Sequence, residues 1–339
     1  MKPLTIIGGG LAGLALGNAL QREGVTMTLY EAGNLPRHRV CGEFICGRGA
    51  TALGELDLSE ALDGCALHQS TLWHIGDREV LMAQLPSPAS GLSRHLLDKR
   101  LADRFQQLGG QLRLNSRFKS TNSSEGIIYC NGRKPTTSDW IGLKLHCTNL
   151  DTKADLELHL GRNGYVGLSA IENSRVNVCA LVKRNPELKA PKAEWLITYL
   201  KASGLNTIAE RIVDGGIDPD SHAGVAGIQF SQIPERHSTE LRLGDAYSVI
   251  PPFTGNGMSI ALESAAIAFP HFLDYSRGNI SWGTAQQAIN KRCHKHFDSR
   301  LKAARALHPW LSTSLGQKAL SALSSAHLLP FNLLYKITH

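Results

Sequence analysis

No stretch of about 18 residues in this chain is apolar and free of charges and helix breakers, so a membrane-spanning helix is not expected. The seven cysteines are odd in number and include no CxxC pair, which excludes a disulfide framework and points to free thiols in a reducing, cytoplasmic compartment. There is no internal repeat, no low-complexity linker and no block of like charge. These absences exclude a solenoid, a rod and a disordered tail. The excess of 36 Lys and Arg over 29 Asp and Glu is spread along the chain, so a nucleic-acid stripe is not expected, whereas anionic small molecules or lipid head groups suit it better. What remains, at 339 residues and 42% apolar, is a globular protein of about two domains. The opening MKPLTIIGGGLAGLALGNAL looks like a secretory signal but holds five glycines and no cleavage site, and reads as mature structure.

Leu4 to Ile7 is a short apolar run of the type that forms a buried parallel strand, and it ends in Gly8-Gly9-Gly10-Leu11-Ala12-Gly13. The GxGxxG spacing has a distinct physical use at each glycine. Gly8 permits a tight turn, Gly10 lets a pyrophosphate approach the backbone, and Gly13 allows close packing of helix on strand. Leu14, Ala15, Leu16, Ala19 and Leu20 supply a helical apolar face, Gly24 ends it, and Val25 to Tyr30 reads as the second strand. Glu31 at that strand's end offers a carboxylate to ribose hydroxyls and repels a 2′-phosphate, which favours the ADP-ribosyl part of FAD or NAD.

Far along the chain, Leu241 to Leu243 reads as a strand running into Gly244-Asp245-Ala246, then Pro251-Pro252-Phe253-Thr254-Gly255-Asn256-Gly257-Met258 and a helical run from Ser259. This segment resembles the GDAxxxxPPxxGxGMxxAxExA pattern of the FAD-dependent oxidoreductases that include aromatic hydroxylases, geranylgeranyl reductases and flavin halogenases. An Asp at a strand end can bind a ribityl hydroxyl, and glycines before a helix N-terminus let backbone amides meet the electron-rich edge of a flavin. Arg37 to Phe44 is similar to the CGE segment of the reductase and halogenase branches, where it passes the isoalloxazine; Cys41 either touches flavin or is a small buried residue. Arg94 matches the arginine that opens a helix beside the cofactor, or is a solvated helix arginine. Asn131-Gly132 stands where the hydroxylases carry Asp-Gly, so the charge is lost there.

The resemblance spans most of the chain and implies a Rossmann-type, glutathione-reductase-like α/β fold with an inserted antiparallel-sheet lobe and C-terminal helices. It assigns Gly8, Gly10, Leu11, Ala12, Gly13, Glu31, Ala32, Arg39, Cys41, Gly42, Arg94, Asn131, Gly132, Gly244, Asp245, Pro252, Gly255, Asn256, Gly257 and Met258 to non-covalently bound FAD. Residues 1–70, 92–145 and 240–275 are expected to assemble as a discontinuous cofactor domain. Residues 71–91 and 146–239 form the substrate lobe, where 155–160, 165–170 and 176–182 alternate like antiparallel strands. Tyr165 faces substrate or is a sheet tyrosine with its hydroxyl in solvent.

The function implied is a monooxygenase using NADPH or NADH as transient reductant and oxygenating an apolar or phenolic small molecule through a flavin C4a-hydroperoxide. The alternative is a reductase or desaturase of a polyisoprenoid or other lipid-like molecule. A third reading, an escort protein without redox work, fits the intact glycine sites less well. None of the five tryptophans forms the WxWxIP motif of halogenases. No general base stands out, and no metal site is expected, because Cys293, His294 and His296 diverge on a helix. Residues 276–339 read as helices packed over the cofactor domain or, being leucine-rich with few acids, as a peripheral membrane contact on the inner face.

Overall fold

The first strand-helix-strand unit follows its apolar pattern. In the computed structural model, which describes residues 1–119, 125–134, 136–230 and 240–339, β1 (Leu4–Ile7) leads into α1 (Leu11–Arg22), whose residues from Leu11 to Leu20 are all buried, and then β2 (Met27–Tyr30). β1 and β2 pair in parallel with Leu4 opposite Met27. After β3 (Phe44–Ile45) and α2 (Gly49–Glu55), β4 (Ala66–Ile75) and β5 (Arg78–Gly91) form a long antiparallel hairpin. α3 (Arg94–Gln107) starts at Ser93, whose Oγ accepts the Leu96 amide at 3.1 Å, and is followed by β6 (Gln111–Arg113) and β7 (Ile127–Tyr129).

The chain then crosses into the second lobe through β8 (Trp140–Cys147), β9 (Leu156–Gly161), β10 (Gly164–Ala170) and β11 (Val176–Lys183), two short helices α4 (Trp195–Ala202) and α5 (Asn206–Asp214), and β12 (Ile217–Ile228). It returns in β13 (Leu241–Arg242) and ends in α6 (Gly257–Ser276), α7 (Trp282–Ser312), α8 (Ser314–Ser325) and α9 (Phe331–Thr338).

Two sheets result. The first is parallel, in the order β13-β7-β1-β2-β6, and its core is closed by α1, α3, α6 and α7. The second has the order β12-β8-β11-β10-β9-β4-β5-β3 and is antiparallel except where β4 meets β9. One of its faces packs Leu143, Leu145, Val166 and Val178 against α4 and α5. The other brings Leu160, Tyr165 and Leu181 to Leu311 and Leu320 of the C-terminal helices. Burial on both faces explains why β9 is buried throughout although its sequence alternates.

The lobe boundaries shift from those read in the sequence. β4 starts at Ala66, before the expected limit at 71, and β8 lies wholly in the second sheet although the sequence placed 140–145 with the cofactor domain. Both strands are recruited by ladder pairing, which no local pattern reveals. Positions 231–239, expected in the substrate lobe, lie outside the described residues.

Candidate functional site

A cavity of about 1100 Å³ runs between the two sheets. At one end the loop after β1 closes on itself. Gly8 has φ +112°, in the region that favours glycine, and a Cβ there would meet the Cys130 carbonyl oxygen at 2.3 Å. A Cβ on Gly13 would meet the Gly8 oxygen at 2.2 Å, while one on Gly10 would find nothing nearer than 3.9 Å. Gly8 and Gly13 therefore set the turn, and Gly10 leaves open space beside the cavity it lines.

Glu31 holds this loop. Its Oε2 accepts the Gly9 amide at 2.8 Å, and its Oε1 accepts the Gly33 amide at 3.0 Å and an Arg37 guanidinium N–H at 3.1 Å. The carboxylate expected to meet ribose hydroxyls thus also pins its own loop and is itself buried. Beside it, fully buried Asp98 binds two arginines, accepting Arg39 Nε at 3.0 Å and Arg94 Nε and Nη2 both at 2.9 Å. Such a shared carboxylate fixes two guanidinium planes against the cavity wall. Burial and the neighbouring Arg94 charge lower the Arg39 pKa.

The second glycine segment arrives at the same cavity. Gly244 has φ +59° and donates its amide to Ser264 Oγ at 3.0 Å, which presents Asp245 to the cavity. The enclosing cavity walls thin the hydration of Asp245 and raise its pKa, against the pull of Arg94, Arg133 and Arg39. Gly255, at φ +70°, passes so close to Phe44 that a Cβ would meet its ring at 2.2 Å. Gly257 then opens α6 with no atom within 4 Å of its would-be Cβ, leaving the helix N-terminus accessible to a ligand.

Between the two glycine segments runs the Cys41-Gly42-Glu43 loop, held from the second sheet. Ser169 Oγ donates to the Gly42 carbonyl at 2.6 Å, and Asn177 Nδ2 donates to the carbonyls of Cys41 and Gly42 at 3.1 and 2.9 Å. Burial pushes the Cys41 thiol pKa up, which makes it a poor thiolate. Toward the far end the wall becomes apolar, with Trp73, Leu158, Phe230, Phe253, Phe331 and Leu334.

Residues 6–53 match the model of an NAD(P)-binding Rossmann-like domain. No curated protein matches the chain. Among solved structures, the Pseudomonas aeruginosa protein PqsL in complex with 2-aminobenzoylacetate superposes with a TM-score of 0.75 at 15% identity, covering 94% of this chain and 99% of that one. Klebsiella pneumoniae HpxO with FAD and uric acid gives 0.76 at 15%, over 99% and 96%. The halogenase PltM gives 0.70 at 17%, over 96% and 84%. The fold is that of the flavin-dependent monooxygenases and halogenases.

Within this monooxygenase-type fold, nearly all the residues singled out from the sequence line the one cavity: Gly8, Gly10, Leu11, Ala12, Glu31, Ala32, Arg39, Cys41, Gly42, Arg94, Asn131, Gly132, Gly244, Asp245, Pro252, Gly255, Gly257, Met258 and Tyr165. Two do not. Gly13 is packed behind the turn. Asn256 is fully buried and turned away, donating from Nδ2 to the Thr338 carbonyl at 2.5 Å, so its side chain fastens α9 instead of facing a ligand. Cys293, His294 and His296 form no metal cluster among the described residues; His296 and Arg300 instead both bind the buried Glu263, at 2.5 and 2.8 Å.

Tyr165 lies on the cavity wall rather than in solvent, 3% exposed, with its hydroxyl beside the Phe253 backbone. Burial raises its pKa well above the ordinary phenol value. The sequence reading missed a buried cluster behind the Cys41 loop. Lys144 Nζ lies 3.3 Å from Glu43 Oε1 and 3.0 Å from Nδ1 of His38, which lines the cavity. Its signal was available, since Lys144 and His146 sit two residues apart on β8 and so share the face opposite Leu143 and Leu145.

Proposed function

We propose that this protein is an FAD-dependent oxidoreductase of the monooxygenase type that uses NADPH or NADH and acts on an apolar or phenolic small molecule. The observation that carries this reading is that two glycine segments some 240 residues apart in sequence face one cavity, which continues into an apolar chamber. The cavity fits the cofactor chemically. Gly10 and Gly257 leave space beside two helix N-termini, at α1 and α6, where backbone N–H groups favour a diphosphate and an electron-rich ring edge. Asp245 presents a carboxylate that accepts no hydrogen bond among the described residues, suited to a ribityl hydroxyl.

In this reading Arg39 and Arg94, oriented by Asp98, balance the diphosphate charge. The bound flavin supplies two-electron redox chemistry and reaction with dioxygen. The protein's own contribution is positioning and dryness. Ser169 and Asn177 fix the Cys41-Gly42 carbonyls, the aromatic and leucine walls exclude water, and Tyr165 brings its hydroxyl to the cavity wall beside the Phe253 backbone, where a polar group of an otherwise apolar substrate could meet it. The second reading, reduction of a lipid-like substrate, draws on the apolar chamber that Phe331 and Leu334 of α9 help to wall.

Purified protein is expected to be yellow, to release FAD on heating and to bleach with NADPH or NADH. A colourless protein that takes up no FAD overturns the reading. Mixing anaerobically reduced protein with candidate substrate separates the two chemistries: reoxidation without oxygen marks a reductase, and strict oxygen dependence marks a monooxygenase.

A further inference from the structure

We propose that the outer face of α8 and α9 docks on an anionic lipid surface and gives the apolar end of the cavity access to it. Exposed single leucines are ordinary on a protein surface, but a run of them on two consecutive helices that both pack on β5 and α7 is not. Along α8, α9 and the turn between them, Leu315 is 79% exposed, Leu328 67%, Leu333 58% and Ile337 43%. Leu333 and Ile337 are four residues apart on α9 and share one face. On α8, Leu315 and Ala322 lie seven residues apart along an exposed stripe that Ala326 continues at the helix end.

The charge around this face selects its occupant. No Asp or Glu occurs between Ser299 and His339, whereas Lys302, Lys318 and Lys336 do. Lys318 and Lys336 stand three residues after Leu315 and Leu333, so these two exposed leucines each have a lysine beside them. Arg78 of β5 joins them, donating to Ser321 and Ser325 of α8 at 3.1 and 2.8 Å. A second copy of the chain seated here would bring these basic rims together, while an anionic membrane surface neutralises them and takes up the leucines. No helix among the described residues is long and apolar enough to cross a membrane, so the contact is interfacial.

The same helices turn their other sides to the cavity. Leu320, Phe331, Leu334 and Tyr335 line it, and Leu323 both lines it and is partly exposed. One layer of side chains therefore separates the docking face from the apolar chamber, a short route for a water-insoluble ligand. The docking itself does not depend on the flavin reading, because it rests on the shape and charge of this face alone.

The experiment is co-sedimentation of the full chain with vesicles of phosphatidylcholine alone and of phosphatidylcholine mixed equally with phosphatidylglycerol, at low and high salt. Binding is expected on the mixed vesicles, reduced by salt. Lys318→Gln and Lys336→Gln are each expected to weaken it by about fivefold. The double change Leu315→Ser with Leu333→Ser is expected to abolish it, with the urea midpoint unchanged because both residues are exposed. Absence of binding to mixed vesicles overturns the proposal. So does light scattering that shows a dimer dissolved by the same leucine changes, which would make a second copy the occupant. The lysine and salt arms stand on their own should the leucine variant fold poorly.

Discussion

His146 Nε2 lies 2.6 Å from Glu43 Oε2 at a point where neither side chain reaches solvent. Glu43 Oε1 meets Lys144 Nζ at 3.3 Å and accepts the Arg94 amide at 3.0 Å, so the carboxylate joins the first turn of α3, the second sheet and the Cys41 loop. The backbone at Glu43 is itself in the left-handed region, at φ 56°. Burial pushes its pKa up, but the His146 hydrogen bond and the Lys144 charge outweigh that and bring it below the usual carboxylate value.

Glu43→Gln is expected to destabilise the protein by about 3–5 kcal/mol, because it strands a buried lysine without its counter-charge. Adding Lys144→Met should restore most of the loss, and urea unfolding of the single and double variants checks both. The folded pKa lies below the unfolded one, so the carboxylate's contribution is present above about pH 4.3 and disappears as pH falls through the folded value. A single variant as stable as the parent would show that the cluster contributes nothing.

His308 sits among Trp140, Phe230, Tyr165 and Phe253, and neither ring nitrogen has a partner. Burial, aided by Lys183, lowers its pKa to about 4. Between about pH 6.5 and the folded value, the unfolded chain takes up a proton that the folded chain refuses, so stability falls as pH falls. His308→Phe is expected to remove about 2 kcal/mol of the loss between pH 7 and pH 5. Parallel urea midpoints at the two pH values test this; equal losses in both proteins would contradict it.

The two ends of the glycine turn should separate folding from ligand binding. Gly13→Ala places a methyl group 2.2 Å from the Gly8 oxygen and is expected to lower the melting temperature of cofactor-free protein by several degrees. Gly10→Ala meets only open space, so it should leave that temperature unchanged and weaken FAD binding by about tenfold or more. Differential scanning calorimetry and FAD titration give the two readouts. Equal FAD affinity in parent and Gly10→Ala would show that the ligand does not approach this backbone.

The first βαβ unit and the Gly244 to Met258 segment were legible because their signals are local: an apolar strand, glycines at fixed spacing, then an apolar helix face. The strands at 156–161, 164–170 and 176–183 were legible for the same reason, through alternation. The direction of the Asn256 side chain was not legible, because motif spacing places a residue near a ligand without telling which way its side chain turns, and the carbonyl of Thr338, 82 residues on, decided that.

The sequence by itself determined that two glycine turns precede two helices, because backbone space and helix onset are properties of a few consecutive residues. Only the tertiary structure decided that both turns face one cavity, that Lys144 and His146 meet Glu43 across about a hundred residues, and that α8 and α9 wall the apolar end. Those relationships depend on how two sheets pack. Packing is a property of surfaces assembled from distant segments, and no window along the chain contains them.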